Sequence, residues 1–600
     1  MTTNESDSGI DADQPLSRLE ENLEKLEGLQ KRLAKVLSHK RNVRQSLQGP
    51  GQDLYVKAAA AYMAEMMNNP ARLIEQQVNY WGKALRNYTD LQAGALQGAQ
   101  EDQKPTAQDP RFSNPLWETN PMFSLLRQQY LLGAEAIEDS LAGLEDLSEQ
   151  DRKRLDYFSH QIIDMLAPTN FLATNPDALE KAVETEGQSL IDGLENLLRD
   201  LEANQGEVIV SLADRDAFRV GENIGTTEGE VVFRNRMLEL IQYSPTTEKV
   251  HEIPLLIFPP WINKFYILDL NAQKSLVRWL VGQGYTVFVV SWVNPDASFA
   301  DVGLDNYVRD GYLEAIGAAK AICNVKKVNV VGYCIAGTTL SLVLGLLHRK
   351  KDKSVNSATF FTTLTDFSDP GEVGVFLAND FVDGLEAECA ETGILDRFFM
   401  ARTFSFLRSN DLIYKPAIKS YMMGEAPPAF DLLYWNGDGT NLPGRMAMEY
   451  LRGLCQENRL VEGGFEICGE TVTLADVQTP LCAIACETDH IAGWQASYNG
   501  VTQMGGKDKT FILAGSGHIA GIVNPPSKNK YGHWLNPEMP ATAEAWRDGA
   551  TAHEGSWWPH WDEWLSKKSG KKVPARGPGA EGYEPIAPAP GTYVIAKPEL

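Results

Sequence analysis

From about residue 253 the chain alternates apolar runs with amphipathic stretches. Six runs, IPLLIFPP (253–260), YTVFVVSW (285–292), KVNVVGY (327–333), SATFFTTL (357–364), PLCAIAC (480–486) and KTFILAG (509–515), are short, apolar and rich in β-branched residues. Helical stretches lie between several of them, LDNYVRDGYLEAIGAAKAIC (304–323) being one. Continuous apolar strands interleaved with helices predict a parallel sheet covered on both faces. Between about 366 and 445 the alternation fails. That interval holds the aromatic- and Met-rich RFFMARTFSFLRSNDLIY and then FDLLYWNGDGTNLPG. An insertion between sheet strands at that point is expected to act as a cap or lid.

Upstream the period is different. Between about 112 and 205 it is helical throughout, with Asn175 and Pro176 as a helix start and Leu190, Leu194, Leu197 and Leu201 as one apolar face. Nearer the N-terminus, Leu16, Leu19, Leu23, Leu26, Leu33 and Leu37 fall on three- and four-residue steps, with Gln30 at the one polar position. This heptad seam reads as a surface helix docked on the rest of the protein, or as a face for self-association or for a hydrophobic particle. The polar stretch LQAGALQGAQEDQKPTAQDP (91–110) reads as an exposed linker or loop. The expected organisation is therefore a heptad-like extension over 1–50, a helical domain over 51–210, and a catalytic α/β domain over 211–600 with its lid at about 366–445.

Composition narrows the function classes. At 600 residues, 43% hydrophobic and 22% charged, the chain is an ordinary globular sequence long enough for more than one unit. A formal net charge of -25, with no clustered basic patch, argues against a nucleic-acid partner. An anionic substrate would have to be met by local cations. The start, MTTNESDSGIDADQP, has neither the basic nor the apolar region of a secretory signal, and no apolar run is long enough to span a bilayer. Seven cysteines, an odd number, do not suggest a disulfide framework, so a cytoplasmic protein is expected.

The chemistry concentrates at NVVGYCIAG (329–337), where a strand runs through a tight glycine-flanked turn into a helix. This is a nucleophile elbow, G-x-S-x-G with Cys334 in place of Ser and Ala336 in place of the second Gly. Gly332 and Ala336 must be small, because the turn brings the strand and the helix close together. The helix N-terminus aims its amides at the thiol, and the N–H of Ile335 forms half of an oxyanion hole. Asp489 follows the strand 480–486 and His518 follows the strand 509–515. Nucleophile, acid, histidine is the chain order of the α/β-hydrolase triad, with each residue at the carboxyl end of a strand.

Asp366 also follows a strand and competes for the acid role, and His490 beside Asp489 is a substrate-binding candidate. His533, His553 and His560 lie beyond the last assignable strand and read as structural. No metal or nucleotide signature is present, so neither a metal nor a cofactor is expected. FPPWINKFYILDL (258–270) occupies the position that provides the second oxyanion donor, at Trp261, with Asn263 and Lys264 as substrate-binding candidates. Lys528 and Lys530 offer further cations for a phosphate-bearing substrate, although a role as plain surface lysines is equally open. The cluster Trp557, Trp558, Trp561 and Trp564 reads as core packing.

GYCIAG, FPPWINKFYILDL, SWVNPDAS, TFSFLRSNDLIY, FDLLYWNGDGTNLPG, ETDHIAGW and SGHIAGIVNPPSKNKYGHW together resemble a polyhydroxyalkanoate synthase. NFLATNP and GSWWPHWDEWL fit as well, and the similarity runs from roughly residue 75 to the end. Length and the long N-terminal region resemble the class I enzymes, single-subunit polymerases of short-chain (R)-3-hydroxyacyl-CoA. The resemblance implies an α/β-hydrolase fold, Cys334 as nucleophile, His518 as base and Asp489 as catalytic acid. Asp489 would either orient His518 or act on the substrate 3-hydroxyl itself. It also implies a CoA thioester as substrate, with no cofactor. The implied partners are a growing polyester chain, the granule surface, a second copy of the chain in a homodimer, and granule-associated proteins. Two rival readings are a thioesterase or depolymerase-like hydrolase and a non-catalytic granule-surface protein. The cysteine nucleophile and a water-excluding lid argue against the first, and the intact Cys, Asp, His set against the second.

Overall fold

The structure is a computed structural model that describes residues 13–39, 47, 80, 82–83, 109–142, 144 and 147–596, with side chains of the first helix described from residue 25. The chain divides into two compact units, one drawn from Met1–Leu212 together with Arg408–Pro428 and the other from Ala213–Leu407 together with Ala429–Leu600.

The first unit is helical. Its longer helices are α1 (Asp13–Ser38), α2 (Pro121–Ala142), α3 (Glu149–Met165), α4 (Pro176–Glu184) and α5 (Gln188–Ala203). Helix α4 begins as its sequence predicts: the Asn175 side chain accepts from the Ala178 amide and Pro176 takes the first turn. Helix α1 docks on α5 through Leu29, which packs with Leu198 and Leu201, and Leu33 and Val36 join from the edge. Arg32 ties the two helices together by pairing with Glu195 and Glu202, both at 2.8 Å. Leu33 belongs to both the expected seam and the docked stripe, whereas Leu29 and Val36 take the places expected of Gln30 and Leu37. Leu29 is buried, whereas Leu37 is 51% exposed. Leu16, Leu19 and Leu23 lie outside the described side chains, as does most of the 91–110 stretch.

The second unit is built on an eleven-stranded sheet. Its strands are β1 (Gly229–Arg234), β2 (Leu238–Tyr243), β3 (Leu255–Phe258), β4 (Val287–Trp292), β5 (Val328–Tyr333), β6 (Val355–Phe361), β7 (Leu481–Cys486), β8 (Lys509–Ala514), β9 (His533–Leu535), β10 (Thr551–His553) and β11 (Ala587–Pro588). Their spatial order is β10-β9-β8-β7-β6-β5-β3-β4-β2-β1-β11. The six predicted strands are β3 to β8, and they form the continuous parallel centre. Strands β3, β4, β5 and β7 are buried at every position, which is why no polar alternation marks them. Antiparallel strands extend the sheet at both ends. After β6 the chain returns to the sheet only at Leu481, so the excursion is longer than the interval expected from the pattern. It includes a hairpin, Phe465–Ile467 with Glu470–Val472.

Two sequence features find their place here. The Pro-rich tail joins the sheet edge, with Ala587 opposite Val231 and Pro588 opposite Glu230. The tryptophan cluster opens helix α7 (Trp558–Lys568), and Trp557, Trp558 and Trp561 are fully buried. Their indole N–H groups donate to the Gly521 carbonyl, the Ile522 carbonyl and the Thr359 hydroxyl respectively. Core packing and anchoring of the loop after His518 are thus the same contact.

Candidate active site

Cys334 stands between β5 and helix α6 (Ile335–Arg349), with φ 55° and ψ -127°. A non-glycine residue at positive φ is strained, and it persists because the neighbours hold it there. Its amide donates to the Phe361 carbonyl at 2.8 Å, and the Gly337 amide returns to the Cys334 carbonyl at 2.8 Å. The turn explains the small residues around it. A Cβ on Gly332 would stand 2.6 Å from the Gly337 Cα, and one on Gly337 would collide with the Thr363 side chain. Ala336 is fully buried, and its carbonyl accepts from the Tyr312 hydroxyl at 2.8 Å.

His518 lies in the loop between β8 and β9, with Nδ1 2.6 Å from Oδ2 of Asp489. The Asp489 side chain is fully buried. Its other oxygen, Oδ1, accepts from the amides of Ile491 at 2.8 Å and Ala492 at 2.9 Å. The carboxylate is therefore committed on both sides, one oxygen to its own loop and one to the imidazole. Burial alone would push His518 down. The Asp489 carboxylate and the Cys334 sulfur, to which the ring is also hydrogen-bonded, more than reverse this and push it up to about 10. The three residues thus form one connected line, Asp489 to His518 to Cys334.

Asp366, the competing acid, is occupied elsewhere. Its carboxylate accepts from Asn458 Nδ2 at 2.9 Å, Gln503 Nε2 at 2.6 Å and the Ser368 amide at 2.9 Å.

The loop after β3 lies beside the elbow, because β3 and β5 are neighbours and Phe258 pairs with Gly332. Trp261 is buried there, its indole N–H 3.4 Å from Thr339 Oγ1 on α6, and its carbonyl accepts from Thr440 Oγ1 at 2.8 Å. Among the described residues, neither the Trp261 nor the Ile335 amide donates a hydrogen bond. Both are left to a ligand, as an oxyanion hole requires.

The other candidates scatter. Asn263 pairs backbone to backbone with Gly439 and is half-buried. Lys264, expected to present a cation, is instead 4% exposed, with Nζ 3.5 Å from the Ala596 carbonyl. Burial pushes its ammonium down, only partly offset by Asp438. His490 is half-buried in a bend rather than an extended segment, and Lys528 is exposed at the end of the short turn Pro526–Lys528.

All seven cysteines are free. Five of them, Cys323, Cys389, Cys455, Cys482 and Cys486, are buried, and burial pushes their thiols up, Cys323 to about 11 and Cys389 to about 12.

His533, His553 and His560 are not beyond the sheet, as their sequence position suggested. His533 and His553 face each other on β9 and β10, and His560 sits in the first turn of α7. No sequence spacing signals this, since only the strand pairing brings them together.

Residues 108–280 match the family described as Poly-beta-hydroxybutyrate polymerase (PhaC) N-terminus, and residues 254–525 match the alpha/beta hydrolase fold. A poly(3-hydroxyalkanoate) polymerase of Methylorubrum extorquens is 40% identical over 561 residues, spanning 91% of this chain and 92% of that one. The poly(3-hydroxyalkanoate) polymerase subunit PhaC of Cupriavidus necator is 41% identical over 535 residues, spanning 88% and 89%. The corresponding subunit of Rhizobium meliloti is 38% identical over 540 residues, spanning 90% and 88%. Among the described residues no helix is long and apolar enough to cross a membrane. With the α/β-hydrolase sheet, this likeness along nearly the whole chain shows that the protein belongs to the poly(3-hydroxyalkanoate) polymerase family of enzymes.

Proposed function

We propose that the enzyme polymerises (R)-3-hydroxyacyl-CoA, of short chain length such as 3-hydroxybutyryl-CoA, into polyester with release of CoA. Cys334 carries the acyl group as a thioester, His518 moves protons and Asp489 holds His518. The observation that carries this reading is the line from Asp489 Oδ2 through His518 Nδ1, at 2.6 Å, to a cysteine at the elbow.

In acylation the Cys334 thiol gives its proton to His518 and its sulfur attacks the thioester carbonyl. The oxyanion meets the Ile335 and Trp261 amides. The bond to the CoA sulfur breaks, and CoA leaves with the proton from His518. In elongation the 3-hydroxyl of a monomer gives its proton to His518 and attacks the acyl-Cys334 carbonyl. An ester forms, the bond to Cys334 breaks, and the proton returns to the thiol. Base assistance of this kind contributes about 10²–10⁴-fold. Because Asp489 Oδ1 is committed to two amides, the orienting role is favoured over a direct role on the hydroxyl.

A thiolate explains the residue choice. Exchange between CoA and Cys334 conserves a thioester, so transfer to a hydroxyl stays downhill. With Ser the acyl group would already be an oxygen ester, and that driving force would be lost. Within the lid proposed over about 366–445, Trp435 Nε1 donates to the Lys264 carbonyl at 2.7 Å, beside the Trp261 loop, which supports a cover on this side of the site. A granule surface and a second copy of the chain are the proposed partners, in the cytoplasm.

The test is incubation with (R)-3-hydroxybutyryl-CoA, following free CoA and the fate of the acyl group. CoA release with high-mass polyester, abolished in Cys334→Ala, supports the polymerase. Release with only free 3-hydroxybutyrate means that water takes the acyl group and the hydrolase reading stands.

A further inference from the structure

Away from Cys334, the second unit holds a histidine cluster that the polymerase chemistry does not use. One ring nitrogen from each of His533, His553 and His560 lies within 4.8 Å of the other two. His533 is 1% exposed, while His553 and His560 are half-buried and open toward solvent. The ring centroids are 4.8 to 5.3 Å apart.

The tautomers are constrained. His533 Nδ1 is 3.0 Å from the Gly555 carbonyl, which can only accept, so Nδ1 carries the proton. Nε2 of His533 is therefore a bare lone pair, and it faces His560 Nδ1 at 2.8 Å. An imidazole whose far N–H is held by a backbone carbonyl is the usual arrangement of a metal-bound histidine, because that bond fixes the ring and raises its basicity.

We infer that His533, His553 and His560 form a three-imidazole site for a divalent ion of the zinc class, with a water molecule in the fourth position. Zinc–nitrogen bonds of about 2.0–2.1 Å place tetrahedral ligand nitrogens about 3.4 Å apart. The 2.8 Å pair opens slightly to receive the ion, and the third ring, its nitrogen within 4.8 Å of both, joins by ring rotation. His560 shifts its proton from Nδ1 to Nε2, so all three rings bind as neutral ligands. Imidazole donors without carboxylates select zinc, cobalt, nickel or copper over magnesium or calcium.

The site would act as a clamp. His533 begins β9 opposite Ala514, the last residue of β8, and the Gly515 amide closes the same loop onto the Gly532 carbonyl at 2.7 Å. The loop 515–532 carries His518, so an ion joining β9, β10 and α7 fixes the return of that loop. Metal affinity then adds directly to the stability of this edge of the sheet.

The experiment uses the full-length protein, stripped with a chelator and titrated with Zn²⁺, with metal per chain measured after desalting and the thermal midpoint followed in parallel. Co²⁺ in place of Zn²⁺ reports tetrahedral geometry through its visible absorption. Because the Cys334 and His518 pair could itself take a soft metal, Cys334→Ala is the control. The expected result is one equivalent per chain and a raised midpoint in both wild type and Cys334→Ala. His553→Ala and His560→Ala, at half-buried positions, should weaken binding by at least about tenfold. No bound metal in the wild type overturns the proposal. So does unchanged affinity in both histidine variants, or uptake that vanishes in Cys334→Ala.

Discussion

His518 and His533 stand at the two ends of one loop, and both are buried, yet they are driven in opposite directions. His518 follows β8, faces a carboxylate 2.6 Å away and is pushed up to about 10. His533 begins β9, faces two more imidazoles and is pushed down to about 4, first by burial. Desolvation penalises the charged ring in both places. What differs is the company, chiefly a buried carboxylate, with the Cys334 sulfur, beside His518 and two more imidazoles beside His533. The same residue type is thereby made a proton acceptor at one end of the loop and a neutral lone-pair donor at the other.

Removing that carboxylate should shrink the difference most, and this is the largest effect expected of the comparison. In Asp489→Asn the ring keeps its burial but loses its anion, and the amide can present its N–H to Nδ1 and force the wrong tautomer. Turnover should fall by about 10³–10⁴-fold, as when a triad carboxylate is replaced by its amide. An orienting role demands that single-turnover acylation and steady elongation fall together. If acylation persists while elongation alone collapses, Asp489 acts on the hydroxyl and the orienting role is wrong.

The pH dependence of stability should separate the two ends next. His518 is raised, so its contribution is complete below the ordinary histidine range near pH 6.5 and drains away as pH climbs toward about 10. His533 is depressed, so its neutral form is compatible with folding above about pH 6.5 and costs stability as pH falls toward about 4. For metal-free protein, the acid limb should be shallower in His533→Gln, by up to about 1.4 kcal/mol per pH unit. The alkaline limb should be shallower in His518→Gln. Denaturant midpoints across pH measure both. An unchanged acid limb in His533→Gln would mean that His533 is not the group being charged.

Much of this contrast could be read in the sequence, and the reason it could is physical. Cys334, Asp489 and His518 each follow a strand buried on both faces, so an uninterrupted apolar run announces each of them. The acid was ambiguous between Asp366 and Asp489, because what excludes Asp366 is its bonding to Asn458 and Gln503, far away in the chain. Strand β2 was missed for a related reason. Its Glu239 and Gln242 are fully buried, and they interrupt the apolar pattern. Besides Arg234 on β1, their partners are the Thr592 and Tyr593 amides and the Gly577 and Gly579 backbone, more than three hundred residues later. Lys264 looked like a free cation because its burial depends on the C-terminal segment. The histidine cluster was invisible because His533 meets His553 only through the pairing of β9 with β10.

Between the two ends, the loop is held by the tryptophans, and this tether should be worth less than either ring. Trp557→Phe keeps most of the packing but leaves the Gly521 carbonyl without the indole N–H now 2.7 Å away. A loss of about 1–3 kcal/mol in unfolding free energy is expected for a buried acceptor deprived of its donor. Turnover should decline modestly, with the pH profile unmoved, because Asp489 still faces His518. A profile that shifts as in Asp489→Asn would make the tether part of the proton chemistry instead.

The smallest effect belongs to Lys528, one of two exposed lysines on this loop, with Lys530, that the proposed chemistry could use. Lys528 is exposed and makes no ion pair among the described residues, so Lys528→Ala should leave stability within about 0.5 kcal/mol of the wild type. The chain as a whole carries a net charge of -25 and repels an anionic thioester. A local cation beside the His518 loop would offset that field over roughly one Debye length, about 8 Å at physiological ionic strength. An exposed pair of this kind is worth about 0.2–1 kcal/mol, or about a 1.4- to 5-fold rise in KM for the acyl-CoA with kcat unchanged. Because the attraction is screened, the rise should shrink as salt is added. Equal KM values for Lys528→Ala and wild type at low salt would remove Lys528 from substrate binding and leave Lys530 as the candidate cation of this loop.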